Sequence, residues 1–118
     1  MKVVAVAASL ILTLLAVIVG MAKVQRLPAS GQVRDQAAIS STLWLASGWV
    51  ELVAAAALIL GTFVALELAL AGAVVLLISY VALAVRQLTQ GLGFAAVVPA
   101  ASLSLLSAVT VASIAASG

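Results

Sequence analysis

The sequence predicts an all-α, membrane-spanning four-helix bundle, and three observations carry that reading. The 118 residues are 67% hydrophobic and only 7% charged, with a mean hydropathy of +1.43. Soluble domains are about 45–50% apolar and about 25% charged, and a small soluble domain leaves too much surface exposed to hide this much apolar material. The apolar residues also fall into four long runs separated by short polar stretches. Within those runs, small and polar residues recur at helical spacing. The length allows a single transmembrane domain over residues 1–118.

A helix needs about 20 apolar residues to cross the hydrocarbon core. The segments that meet this need are 3–22, 42–61, 64–85 and 93–116. Backbone groups in lipid must be paired within the segment, so these are helices. The second and third are joined around Gly61-Thr62-Phe63, which predicts a tight antiparallel hairpin. The third and fourth are joined by RQLTQGLG, Arg86–Gly93, where Gly91 and Gly93 permit a turn. The first connection, KVQRLPASGQVRDQAAISS, is long, and Pro28 and Gly31 are expected to break it. From Gln32 onward it is expected to form a short surface helix or a polar extension of the second span.

Lys23, Arg26, Arg34 and Arg86 all lie in the connections after the first and third segments. The positive-inside rule then places those loops in the cytoplasm and both termini outside, for a multi-pass protein of the cytoplasmic membrane. Trp44 fits an interfacial anchor on the cytoplasmic side. Met1-Lys2 and the apolar run after it also resemble a signal peptide with a cleavage site near Gly20-Met21-Ala22, although the run is longer than the usual signal core.

Each segment has one face of small and polar residues. On the first it comprises Ser9, Thr13, Ala16, Gly20 and Lys23; on the second, Ser47, Gly48, Glu51, Ala55 and Leu58. The third has Ala65, Ala69, Gly72 and Ala73, and the fourth Ser104, Ser107, Thr110, Ser113 and Ser117. Small residues let membrane helices approach, and hydroxyls can bond across the contact, so these faces point inward. Gly20, Gly48 and Gly72 are the helix-packing positions.

Glu51 stands apart. A carboxylate at bilayer depth costs at least ~2.5–3.5 kcal/mol, so it must be protonated, paired or hydrated. It lies about seven residues beyond Trp44, or ~10 Å along the helix. Lys23 can bend its stem inward to meet it, with Arg26 and Arg86 as further candidate cations. Two roles follow. Glu51 either locks the second helix to the first, or it handles a proton or a ligand head group.

The chain has neither cysteine nor histidine. This excludes disulfides, thiolate and imidazole metal sites and Cys/His nucleophilic chemistry. Serine and threonine hydroxyls lack an activating base, so no catalytic set is expected. The pI near 9.7 rests on a few loop residues, and no Lys/Arg run points to nucleic acid.

The residues GMAK (Gly20–Lys23) followed by Pro28, the run SGWVELVAAAALILG (Ser47–Gly61), and an Ala/Leu-rich third segment ending at Arg86 resemble the DoxX-like family of small four-helix membrane proteins. The family pattern of Gly-x-x-Lys, Gly-x-x-Glu-Leu and Leu-x-x-Gly falls on Gly20 and Lys23, on Gly48, Glu51 and Leu52, and on Leu58 and Gly61. Many members follow the third helix with a histidine and basic residues, whereas this chain has Arg86 alone. The family takes its name from a membrane subunit of a thiosulfate:quinone oxidoreductase. The resemblance implies a bacterial inner-membrane accessory or scaffolding subunit, with other membrane subunits as partners beside the lipid bilayer. It implies no bound cofactor beyond a quinone or lipid contact. A small proton-coupled transporter using Glu51 is the alternative.

Overall fold

The computed structural model describes residues 3–25 and 28–117. These form five helices: α1 (Val3–Val24), α2 (Pro28–Gln36), α3 (Ser41–Phe63), α4 (Leu66–Thr89) and α5 (Phe94–Ser117). All but α2 are long and apolar enough to cross a membrane. The architecture is an all-α four-helix bundle, and the chain is a small multi-pass membrane protein. Around the bundle α1 packs on α3, α3 on α4 and α4 on α5, and α5 closes back onto α1.

The bundle is arranged for lipid. Large apolar side chains such as Leu14, Val53, Ile78 and Leu105 face outward, while Ala5, Ala16, Ala55, Ala69 and Ala73 lie inside. Lipid tails are as apolar as leucine, so helices gain little by hiding large residues and more by close backbone approach. At Gly72 a Cβ would come within 2.6 Å of the Ala54 carbonyl oxygen, so only glycine lets α4 lie this near α3. Tyr80, Leu12, Leu58, Leu76 and Ile114 fill the centre.

The serine and threonine hydroxyls behave differently from expectation. Ser104, Ser107, Thr110 and Ser117 donate to the carbonyls of Ala100, Leu103, Leu106 and Ser113, at 2.7–2.8 Å. Thr13 does the same to Ser9 at 2.7 Å. Each satisfies its donor on its own helix, four residues back, rather than across the bundle.

Several boundaries move. Helix α3 continues through Gly61–Phe63, so the turn is Val64–Ala65. Helix α4 takes in Arg86–Thr89, and the turn that closes it places Gly91 at a φ of +72°. There Leu92 N–H donates to the Gln87 carbonyl at 3.1 Å and Gly91 N–H to that of Leu88 at 3.0 Å, a Schellman closure. Pro99 lies inside α5, with no N–H for the carbonyl four residues back.

The long first connection is mostly helix. Pro28 opens α2 instead of breaking the segment, because the first helical position needs no N–H partner. Gly31 is carried inside the helix. The break comes at Ala38, whose φ is 55°. Ala38 N–H donates to Asp35 O and Ile39 N–H to Arg34 O, both at 3.1 Å, so α2 also ends in a Schellman closure, with alanine in the glycine position. Arg86 holds it there: Nε donates to the Ala37 carbonyl at 2.9 Å and Nη2 to that of Ala38 at 3.1 Å. Ser40 then caps α3 by accepting from the Leu43 N–H at 3.2 Å.

Candidate functional site: an enclosed lysine–glutamate pair

The site begins with the near contact of two backbones. A Cβ on Gly48 would lie 2.8 Å from Lys23 Cβ and 3.2 Å from the Gly20 carbonyl oxygen. One on Gly20 would lie 3.0 Å from the Leu52 side chain and 3.1 Å from the Gly48 carbonyl oxygen. Glycines facing each other thus set α1 directly on α3. The Lys23 stem, in the last turn of α1, then runs along α3 instead of out to solvent.

Trp44, Ser47 and Glu51 follow one another at steps of three and four on α3, so they share a face. The Lys23 ammonium sits among them. It donates to Glu51 Oε1 in a short ion pair and to Ser47 Oγ at 3.0 Å. Ser47 Oγ in turn donates to the same Glu51 oxygen at 3.2 Å. The third side is the Trp44 ring, whose centroid lies 4.2 Å from Lys23 Nζ, within cation–π range. Lys23 is 3% exposed and Glu51 0%. The second carboxylate oxygen, Oε2, is buried without a hydrogen-bond partner. Pairing removes the isolated charge that would oppose membrane insertion.

Two clefts flank this cluster. One, of about 700 Å³, opens beside Ile39, Ser47, Ser79 and Arg86. The other, of about 250 Å³, lies among α1, α4 and α5 beside Val19, Tyr80, Gln87 and Pro99. Lys23, Trp44 and Leu83 line both and form the wall between them. Glu51 lines neither.

The structure therefore brings Gly20, Lys23, Gly48 and Glu51 into one cluster. Gly72 is elsewhere, at the α3–α4 contact. Arg34 forms an exposed pair with Asp35 at 3.0 Å, of the surface kind that contributes little. Arg86 serves the end of α2 and not Glu51. Arg26 lies outside the described residues. Trp44, expected as an interfacial anchor, is 6% exposed and packs its ring against Lys23, while Trp49 is the outward tryptophan. Its spacing of seven from Glu51 was the available signal, since two turns return to the same face. Gln87, expected in the connection after the third span, lies in α4 seven residues beyond Tyr80, which sets both polar side chains on one face. Among the described residues no three His, Cys, Asp or Glu side chains gather to hold a metal.

No family model matches the chain, and neither does any curated protein or solved structure.

Proposed function

We propose that this protein is a DoxX-like accessory subunit that scaffolds a quinone-linked membrane complex in the bacterial cytoplasmic membrane. The observation that carries the reading is the enclosure of Glu51. Its carboxylate is tied to Lys23 and Ser47 and has no surface on either neighbouring cleft. A group so placed fixes helices to one another. That both arginine-bearing loops lie on one side of the membrane is supported by Arg86, which joins the end of α4 to the end of α2; the positive-inside rule would make that side the cytoplasm. The test is purification of the tagged protein from its native membrane in mild detergent, with mass spectrometry of what accompanies it. A stoichiometric membrane partner is expected. A bare homo-oligomer would overturn the subunit role.

One observation favours the transporter reading: Glu51 Oε2 has no hydrogen-bond partner and is a place for a proton. Proton-coupled flux in vesicles separates the two. The subunit reading expects the same flux from the native protein and from Glu51→Gln; flux that only the native protein supports would favour transport.

A further inference from the structure

The larger cleft carries a charge that the bundle leaves uncompensated. It lies between α3 and α4, next to the junction of α2 with α3, and Arg86 lines it together with Ala38, Ile39 and Ser40. The guanidinium is fixed at that end, because Nε and Nη2 donate to the Ala37 and Ala38 carbonyls. Those carbonyls are neutral, so they orient the group without cancelling its charge. Arginine has five N–H donors; beyond these two bonds, Arg86 has no further partner among the described residues. The neighbouring charges are already matched, Lys23 with Glu51 and Arg34 with Asp35. Glu67 lies in the first turn of α4, at the other end of that helix.

The rest of the cleft is mostly apolar and open on one side. Leu43, Val50 and Ile78 line it and are exposed, whereas Trp44 and Lys23 line it and are buried. It therefore opens toward lipid and reaches in as far as the Trp44 side chain. Ser40 to Val50 covers about 15 Å along α3. One leaflet is half of a ~30 Å hydrocarbon core, so the cleft runs from the helix end to about mid-membrane. Its charged end lies at the depth of a lipid head group, and its apolar length at the depth of an acyl chain. Basic pockets between membrane helices bind acidic head groups, and the planar fork of arginine matches phosphate. A zwitterionic lipid brings its own cation; an acidic one leaves its charge for Arg86.

We propose that the cleft between α3 and α4 is a binding site for an acidic phospholipid: the phosphate accepts from the Arg86 guanidinium, and one acyl chain lies along Leu43, Val50 and Ile78 toward Trp44. The site names a ligand of the bundle itself and does not rest on the subunit role.

The chain has two tryptophans, so Trp49→Phe leaves Trp44, at the cleft wall, as the reporter. The protein is placed in phosphatidylcholine vesicles, and phosphatidylglycerol with brominated acyl chains is titrated in; brominated phosphatidylcholine is the comparison. Quenching of Trp44 should saturate with the acidic lipid at about one-fifth of the mole fraction that the zwitterionic lipid needs, the equivalent of ~1 kcal/mol for one arginine at a membrane surface. Trp49, exposed and outside this cleft, reports the surrounding lipid in Trp44→Phe and should be quenched equally by both. Arg86→Lys and Arg86→Gln both disturb the bonds to α2, so their comparison isolates the charge: lysine should keep the preference and glutamine lose it. Ala82→Leu, on the exposed side of the cleft, narrows it and should weaken quenching of Trp44 by the acidic lipid. Equal quenching of Trp44 by the two lipids would overturn the site with no variant needed, as would the same preference at Trp49. Saturation by a brominated fatty acid but not by phosphatidylglycerol would overturn the phosphate assignment, and a preference that survives Arg86→Gln would overturn the role of Arg86.

Discussion

The Cβ of Lys23 lies so close to the α-carbon of Gly48 that a Cβ placed there would sit 2.8 Å away. The ion pair and the helix approach are thus one feature. Lys23 reaches Glu51 because Gly48 lets α1 press against α3, and the pair in turn ties the two helices together. Gly48→Ala is expected to destabilise the protein by about 1–3 kcal/mol, the usual cost of overpacking, in thermal unfolding in detergent. Gly31→Ala is the control: nothing lies near a Cβ there, and α2 should gain up to ~1 kcal/mol of helix propensity. Equal effects at the two glycines would contradict the close-approach account.

Trp44 contributes its ring face to the Lys23 ammonium. Trp44→Phe keeps an aromatic face and Trp44→Leu does not, so leucine should cost more, by about 0.5–2 kcal/mol. The same unfolding measurement reads this. If phenylalanine and leucine are equivalent, Trp44 only fills space.

Arg86 and Ala38 form the second fastening. Alanine at a φ of 55° carries a left-handed strain of about 1–2 kcal/mol, and Ala38→Gly should recover part of it. Arg86→Ala removes both bonds to the end of α2. Amide exchange over Val33–Ile39 should then speed up while α4 keeps its protection. Unchanged exchange there would show that α2 holds its place without Arg86.

The spans and their inward faces were legible because lipid imposes two strong rules: about 20 apolar residues per crossing, and small residues at contacts. Glu51 stood out for the same reason, since an ionisable group in such a run needs a partner. What the residues left unreadable were choices between local alternatives. Pro28 reads equally as a break or a helix start, and only the packing of α2 decides. Val64 is apolar enough for a span yet lies in the turn. Trp44 suits an interface as well as a cation, and which face of α3 turns inward depends on Gly48 meeting Gly20. The hydroxyls of α5 can bond along or across, and the nearer carbonyl, on the same helix, wins. The burial of the Tyr80 hydroxyl and Gln87 Oε1 without a partner depends on how the neighbouring helices pack, which no spacing in one segment encodes.

The central claim is that Lys23 and Glu51 act as one buried lock between α1 and α3. The most direct measurement is a double-mutant cycle on unfolding free energy with Lys23→Met, Glu51→Gln and the two combined. Each single change strands a buried partner and should cost about 3–5 kcal/mol. The combined change strands neither, so it should fall short of the sum by at least about 1 kcal/mol. Strictly additive effects would contradict the lock.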